Sequence, residues 1–113
     1  ASDVYKRQHI VNVPLELATK DDTFQQAVTE QWLPKLNEFK PQLILMSAGF
    51  DAHVEDDMAG LALTEQSYSW VTQEIKTIAG HYANGRIVSC LEGGYALSAL
   101  GRSVAAHIGV LIE

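Results

Sequence analysis

Two short apolar runs constrain the fold of this chain most, because each is followed by small residues and then by a side chain that can do chemistry. The first run, residues 43–46, leads to Asp51, and the second, residues 87–91, leads through two glycines to Tyr95. The first run is unbroken, which is typical of a strand buried on both faces of a parallel sheet, and the second repeats its layout with one serine, Ser89. Because ligands bind beyond the carboxyl ends of such strands, we expect Asp51 and Tyr95 to emerge at one edge of one sheet.

Amphipathic helical patterns alternate with these runs. The first begins with Asp22 as the expected N-cap, and Pro34 within it predicts a kink before the helix stops at Lys40. A second pattern begins at the expected cap Thr64, and a third runs from Leu97 to the end of the chain. The inward side of the third helix is expected to hold Leu100, Val104, Ala105, Ile108 and Leu111.

A β-prone run at residues 10–13, ended by Pro14, adds a third strand to the prediction. The chain then consists of three βα units in order. This pattern predicts an α/β fold with a parallel sheet flanked by helices. A sheet of three strands is thin and its outer strands are apolar, so we expect the chain to be a fragment of a larger protein.

The composition disfavours several classes of function. With 14 acidic and 8 basic residues the net charge is -6, which argues against nucleic acid and anionic membranes as partners. No apolar segment is long enough to span a membrane, and no signal peptide is visible. The single cysteine, Cys90, cannot form an intrachain disulfide, which fits a reducing, cytoplasmic compartment. Because Cys90 lies in a predicted buried strand, we expect an inert thiol.

Residues 1–8 match the translation of a common transposase sequencing adapter. We therefore expect them to be an artefact that is excluded from fold reasoning, as processing segments are. The natural chain is then expected to continue upstream of His9, and residues 9–113 are expected to form the C-terminal part of a larger domain.

Two residues that follow the strands are candidates for chemistry, and the residues alone leave their roles open. Asp51 is either a loop or cap carboxylate or a metal ligand, and a catalytic zinc needs about three protein ligands. Tyr95 is either a turn residue that packs by its ring or a hydroxyl donor to a developing oxyanion. Gly93 and Gly94 would let a ligand approach the backbone closely, although no phosphate-binding motif follows them.

At these residues the sequence resembles the zinc-dependent histone deacetylase family, most of all its class II-like and bacterial members, which include acetylpolyamine amidohydrolases. The resemblance runs from His9 to Glu113 and depends on two ordered motifs. The matching residues are Ser47-Ala48-Gly49-Phe50-Asp51-Ala52-His53, Asp56, Leu61, Leu63-Thr64, Tyr68 and Leu91-Glu92-Gly93-Gly94-Tyr95. The resemblance implies part of the arginase–deacetylase fold, an α/β/α sandwich around a mostly parallel sheet.

The resemblance also implies roles for five residues. Asp51 corresponds to the last of three zinc ligands, and Tyr95 to the tyrosine that polarises the acetyl carbonyl and stabilises the tetrahedral intermediate. Met58 corresponds to a residue that lines the acyl-lysine tunnel, and Gly93 and Gly94 to the glycines at its floor.

The implied activity is the hydrolysis of an acetylated amine, acetyl-lysine or an acetylpolyamine, with zinc as the cofactor. His53 corresponds to a family position that does not bind the metal. The sequence lacks the other two zinc ligands and the histidine pair of the family, so we expect the upstream part of the same chain to supply them and this fragment alone to be inactive. Two other classes stay open: a small flavodoxin-like domain that binds an anion at Gly93-Gly94, and a non-catalytic interaction module.

Overall fold

The structure, a computed structural model, describes residues 9–113 of the chain. Its helices and strands are α1 (Asp21–Ala27), a π-helical segment (Val28–Trp32), α2 (Leu33–Phe39), β1 (Ile44–Ala48), α3 (Glu65–Tyr82), β2 (Ile87–Leu91) and α4 (Leu97–Leu111). The two strands are parallel, and α3 connects them along the chain. The predicted α/β class is therefore confirmed. The predicted artefact at residues 1–8 lies outside the described residues and stays a prediction.

The parallel sheet has two strands among the described residues, where the sequence predicted three. Ile44 lies opposite Ile87, and Ala48 lies opposite Leu91. The prediction of a strand at residues 10–13 is wrong for this structure. A strand persists only where a neighbour completes its backbone hydrogen bonds, and β1 and β2 pair with each other rather than with this segment.

One face of the sheet is covered and the other is bare. Ile44 packs on the covered face against Ile75 and Ile78 of α3, in a cluster of buried side chains. On the opposite face Leu45 is 71% exposed and Val88 is 50% exposed. The prediction that the strands are buried on both faces is therefore wrong for the described residues, because α3 and α4 both pack on one side.

The predicted kink at Pro34 takes the form of a π-helical segment between α1 and α2. The Leu33 N–H donates to the carbonyl of Val28, five residues earlier, immediately before the proline that cannot donate. The helix stops as predicted at Lys40, which has a left-handed φ of 55°. Asp22 is not the N-cap, because the helix already begins at Asp21.

The predicted start of the second helix at Thr64 is confirmed, whereas the last helix buries a different face from the one that the sequence predicted. Thr64 caps α3 through its hydroxyl, which accepts from the Gln66 N–H. In α4 the predicted inward residues are not the most buried ones, and Ile108 is 47% exposed. The buried residues of α4 are Ala99, Ser103, His107 and Val110. Small side chains at the start of this stripe let α4 lie close to α3, so packing rather than apolarity decides which side faces inward.

None of the helices between residues 9 and 113 is long and apolar enough to cross a membrane.

Candidate functional site

The backbone ladder of the sheet continues past both strands and joins the two sequence motifs. The Glu92 N–H donates to the carbonyl of Ala48 at 3.0 Å, and the Phe50 N–H donates to the carbonyl of Gly93 at 2.8 Å. Residues 49–51 and 92–94 therefore run side by side beyond the carboxyl ends of β1 and β2. This end of the sheet is where the topology of open α/β sheets places ligands.

Asp51 lies directly against the glycine turn. A β-carbon added at Gly93 would lie 3.2 Å from both Cγ and Oδ2 of Asp51, so any larger residue there would crowd the carboxylate. The half-buried Asp51 side chain makes no hydrogen bond or ion pair within residues 9–113. Because Gly93 has no side chain and the Asp51 carboxylate has no hydrogen-bond partner here, the carboxylate oxygens have lone pairs available for a cation.

The Asp51 carboxylate is a suitable ligand for zinc. Carboxylate oxygens bind zinc, and a catalytic zinc takes about three protein ligands. Within the described part of the chain, no group of three metal-binding side chains includes Asp51. Asp51 could supply one such ligand, but residues 9–113 do not complete a zinc ligand set around it.

His53, Glu55 and Glu65 form a separate group whose ligand atoms lie within 4.8 Å of one another. The ring of His53 is already engaged on both sides: its Nδ1 accepts from the Glu55 N–H at 3.0 Å, and its Nε2 bonds to the Glu65 carboxylate. Arg102 supplies a positive charge, because it pairs with Glu55 and its Nε lies 3.6 Å from Glu65. The group could hold a metal only by giving up these bonds, so its present role is to tie the loop after β1 to α3 and α4.

A buried carboxylate holds the Tyr95 turn in place. Asp56 is 5% exposed, and its Oδ2 accepts from the Tyr95 N–H at 2.7 Å and the Ala96 N–H at 3.1 Å. Its Oδ1 accepts from the Met58 N–H at 3.0 Å. The hydrogen bonds from the amides of Met58 and Tyr95 hold the pKa of Asp56 below its usual value, so the group is ionised at neutral pH.

The side chains that follow these amides point outward. Tyr95 is 60% exposed and Met58 is 66% exposed, although the backbone of each is fixed by Asp56. Gly94 has a φ of 147°, and a β-carbon there would lie 2.6 Å from Cδ1 of Leu100. The turn therefore requires glycine at this position.

Phe50, which precedes Asp51, packs against the rings of Tyr68 and His107. Its centroid lies 5.0 Å from the ring of Tyr68 and 5.7 Å from the ring of His107. Burial raises the pKa of Tyr68, and the charge of Asp51 raises it further. The Tyr68 hydroxyl therefore keeps its proton at neutral pH, and it has no well-formed hydrogen bond to any described residue.

His107 joins α3, α4 and β2 through both ring nitrogens. The Thr72 hydroxyl donates to the carbonyl of Tyr68 at 2.6 Å, so it accepts from Nδ1 of His107, which lies 2.8 Å away. Nε2 then accepts from the hydroxyl of Ser89 at 2.8 Å. Burial lowers the pKa of His107, which agrees with a neutral ring in this position.

Two aspartates in the site region, the half-buried Asp21 and the buried Asp56, escaped functional interpretation in the sequence. Asp21 accepts from the N–H and the hydroxyl of Thr64, at 2.9 and 2.6 Å, and from the hydroxyl of Ser67. Burial pushes the pKa of Asp21 up, but these hydrogen bonds outweigh burial and lower it. Asp56 matches the family motif, but the resemblance implied no role for it. No local pattern separates either residue from an exposed aspartate, because their partners lie about 40 residues away in sequence.

Solved structures place this arrangement in a known class of fold. The structure superposes on the HDA15 HD domain with a TM-score of 0.77 and 32% identity, covering 84% of this chain and 26% of that chain. It superposes on the histone deacetylase Clr3 with a TM-score of 0.77 and 30% identity, covering 86% of this chain and 16% of that chain. The two strands, their helices and the loops at the sheet end are therefore a piece of a deacetylase domain fold.

The family follows from sequence. The model of the histone deacetylase domain matches residues 2–111. The chain is 42% identical over 105 residues to type-2 histone deacetylase 1 of Dictyostelium discoideum, and 39% identical over 89 residues to a probable deacetylase of Archaeoglobus fulgidus. The chain belongs to the histone deacetylase domain family, which confirms the resemblance found in the sequence.

The match covers most of this chain but a small part of its relatives. It takes in 93% of this chain and 7% of the Dictyostelium protein, and 79% of this chain and 25% of the Archaeoglobus protein. The roles of Asp51, Met58, Gly93, Gly94 and Tyr95 stay predictions.

Proposed function

We propose that this chain is part of a zinc-dependent deacetylase that hydrolyses the acetyl amide of acetyl-lysine or of an acetylpolyamine. Membership of the histone deacetylase domain family supports the reaction class. The observation that carries the proposal is the position of the unpartnered Asp51 carboxylate against Gly93, two residues before the exposed Tyr95.

In the proposed reaction Asp51 is one ligand of the metal. A bound zinc lowers the pKa of a coordinated water to about 7 and polarises the amide carbonyl. Gly93 leaves the Asp51 carboxylate uncrowded, and the lack of a hydrogen bond within residues 9–113 keeps its oxygens free for the ion.

Tyr95 is the proposed donor to the carbonyl oxygen. Its hydroxyl is on an exposed ring, so it can reach a substrate that lies over the end of the sheet. Its hydrogen bond strengthens as negative charge develops on that oxygen, which accelerates the chemical step rather than binding of the ground state. Met58, also exposed, is the proposed apolar wall beside the acyl group, and Gly93 and Gly94 are the proposed floor.

The test uses the full-length protein that contains this chain, because the remaining ligands are proposed to lie outside it. Asp51→Ala should remove both zinc content and hydrolysis of acetyl-lysine peptide and acetylpolyamine, since a ligand is lost. Asp57→Ala is the matched control, because Asp57 is an exposed aspartate in the same loop. Full zinc occupancy in Asp51→Ala, or activity unchanged in it, would contradict the proposal.

The anion-binding hypothesis is less favoured by the contacts. A phosphate at Gly93-Gly94 would need free backbone donors, and the next two, the N–H groups of Tyr95 and Ala96, already donate to Asp56. The carboxylate of Asp51 beside Gly93 would also repel an anion. A non-catalytic module would instead show no hydrolysis of either acetylated amine by the full-length protein.

A further inference from the structure

Asp56 connects the two turns that carry the proposed substrate-facing side chains. One oxygen of its carboxylate accepts from the amide of Met58, and the other accepts from the amides of Tyr95 and Ala96. We propose that Asp56 is a positioning residue that fixes where the Tyr95 hydroxyl stands over the substrate, and that it sets this position jointly with that of Met58. The inference rests on the proposed function for the role of Tyr95.

The Tyr95 side chain is not fixed by a hydrogen bond of its own within residues 9–113. Its ring is 60% exposed, and its hydroxyl makes no hydrogen bond to a described residue. The position of the ring is therefore set by the backbone of its turn. That backbone is anchored at the carbonyl of Gly93 by the Phe50 N–H, and beyond Gly94 by Asp56.

The second anchor is needed because the turn contains a glycine in a strained region. Gly94 has a φ of 147°, which only glycine adopts readily, so the chain pivots easily at this residue. Without Asp56, the Tyr95 backbone would be held only by the sheet before Gly94 and by the start of α4, where the Leu100 N–H donates to the carbonyl of Ala96 at 2.8 Å. A displacement of about 1 Å at a catalytic group can lower a rate by about 10²-fold.

An ionised carboxylate suits this position and a carboxamide does not. Both oxygens of Asp56 face N–H donors, so both must accept. Asparagine has the same shape but one acceptor and one donor. In either orientation its NH₂ group would face a backbone N–H, and one of the two turns would be released.

A purely structural role is the competing explanation, because Asp56 also serves the start of α4. Ala96 is the N-cap of α4 and has no side-chain oxygen to accept a hydrogen bond. Asp56 accepts from the N–H of Ala96 itself, and its negative charge is favourable near a helix N-terminus. The experiment must therefore separate an effect on Tyr95 from a general loss of stability.

The kinetic test compares Asp56→Asn with Asp57→Asn in the full-length protein, using an acetyl-lysine peptide. Asp56→Asn should lower kcat about 10²-fold, with KM and zinc content little changed, because the displaced hydroxyl acts in the transition state. Asp57→Asn removes the same charge from an exposed neighbour and should leave all three unchanged. Equal effects of both variants would overturn the proposal.

The Tyr95→Phe background gives the sharper result. If Asp56 acts through the Tyr95 hydroxyl, Asp56→Asn should change kcat less than about twofold once that hydroxyl is gone, since residues that act as a unit are not additive. A further fall of about 10²-fold in this background would show that Asp56 acts elsewhere. If Asp56→Asn does not fold, Asp56→Glu takes its place in both comparisons, because it keeps the charge and displaces the oxygens.

Amide hydrogen exchange tests the positioning without relying on catalysis. In the full-length protein, exchange in a peptide spanning residues 93–98 should be faster in Asp56→Asn than in Asp57→Asn. This result is expected even if the protein hydrolyses no acetyl amide, so failure of the proposed function is distinguishable from failure of this inference. Unchanged exchange in this peptide would overturn the inference.

Discussion

Tyr95 combines a fixed backbone with a free side chain. Its N–H donates to a buried carboxylate at 2.7 Å, while its ring is 60% exposed. A tyrosine that only packed in the turn would gain by burying more of its ring, because burial of an aromatic ring is favourable. An exposed tyrosine on an anchored turn is better suited to contact another molecule.

Replacing Tyr95 with phenylalanine in the full-length protein should lower kcat by about 10²–10³-fold, because one oxyanion donor is removed. Zinc content and KM should stay close to those of the unmodified protein, because the hydroxyl acts on charge that develops in the transition state. The measurements are steady-state kinetics and metal analysis on both proteins. A kcat within a few-fold of that of the unmodified protein would contradict the oxyanion role and would leave Tyr95 as a turn residue that packs by its ring.

His107 makes the stability of the fold depend on pH. Burial lowers its pKa in the folded chain, so the unfolded chain binds more protons near the ordinary pKa of 6.5. Stability from a neutral His107 is therefore present above that pH and is lost as the pH falls below it.

Thermal unfolding of the chain at pH 7.5 and pH 5.5 should show this loss. His107→Asn is expected to be less stable at pH 7.5, because it loses ring packing against Phe50, but to lose less on acidification. His81→Asn is the control, because His81 is an exposed histidine on α3. An identical acid-induced loss in His107→Asn and the unmodified chain would contradict the prediction.

Among the elements, the turn before α4 needs a glycine, whereas α4 itself contains a glycine that its structure does not need. Gly94 has a φ of 147° and faces Leu100 at 2.6 Å, whereas Gly101 lies exposed within α4 with nothing near its missing β-carbon. Alanine should therefore be unfavourable at the first position and favourable at the second.

Urea denaturation should separate the two glycines. Gly94→Ala is expected to lower the free energy of unfolding by about 1–3 kcal/mol, because alanine rarely adopts this φ. Gly101→Ala is expected to raise it by about 0.5–1 kcal/mol, because glycine within a helix loses more entropy on folding. Gly94→Ala with unchanged stability would mean that the turn relaxes without loss.

The elements were predictable where the signal is local. Thr64, Pro34 and Lys40 act within one or two helical turns, and each marks the boundary or irregularity that the sequence indicated. The inward side of α4 was not predictable, because small Ala99 and Ser103 are buried by close packing while apolar Ile108 is 47% exposed. Asp56 and Asp57 are adjacent and chemically identical, and their sequence does not show that the buried one, Asp56, meets the distant Tyr95 turn.

For the whole molecule, the two motifs met as the sequence predicted because parallel strands share a carboxyl end. The third strand that the sequence predicted at residues 10–13 does not form among the described residues, since strand pairing depends on which other strands are present. A cavity of 1170 Å³ borders β1, and Tyr68 and Gly49 both line it, so the candidate site adjoins open space on that side.

Residues 9–113 alone should bind zinc weakly and should not hydrolyse an acetyl-lysine peptide. The reason is that affinity comes from a complete ligand set, and Asp51 belongs to no metal-binding group of three in this part of the chain. Calorimetric titration of the purified chain with zinc, beside an Asp51→Ala control, measures the affinity. Zinc-dependent turnover by the chain alone would show that its own residues suffice.

The bare face of the sheet has a practical consequence for work with this chain. Leu43, Leu45 and Val88 present an apolar surface there. Cys90 on β2 is an exposed free thiol, so the prediction of a buried, inert thiol is wrong for this structure, because the face of β2 that carries it is uncovered. Exposed apolar strands promote self-association, and an accessible thiol can cross-link two molecules by oxidation. A concentrated sample would therefore tend to aggregate and to form covalent dimers in air, so its purification calls for a reducing agent and a solubilising fusion partner.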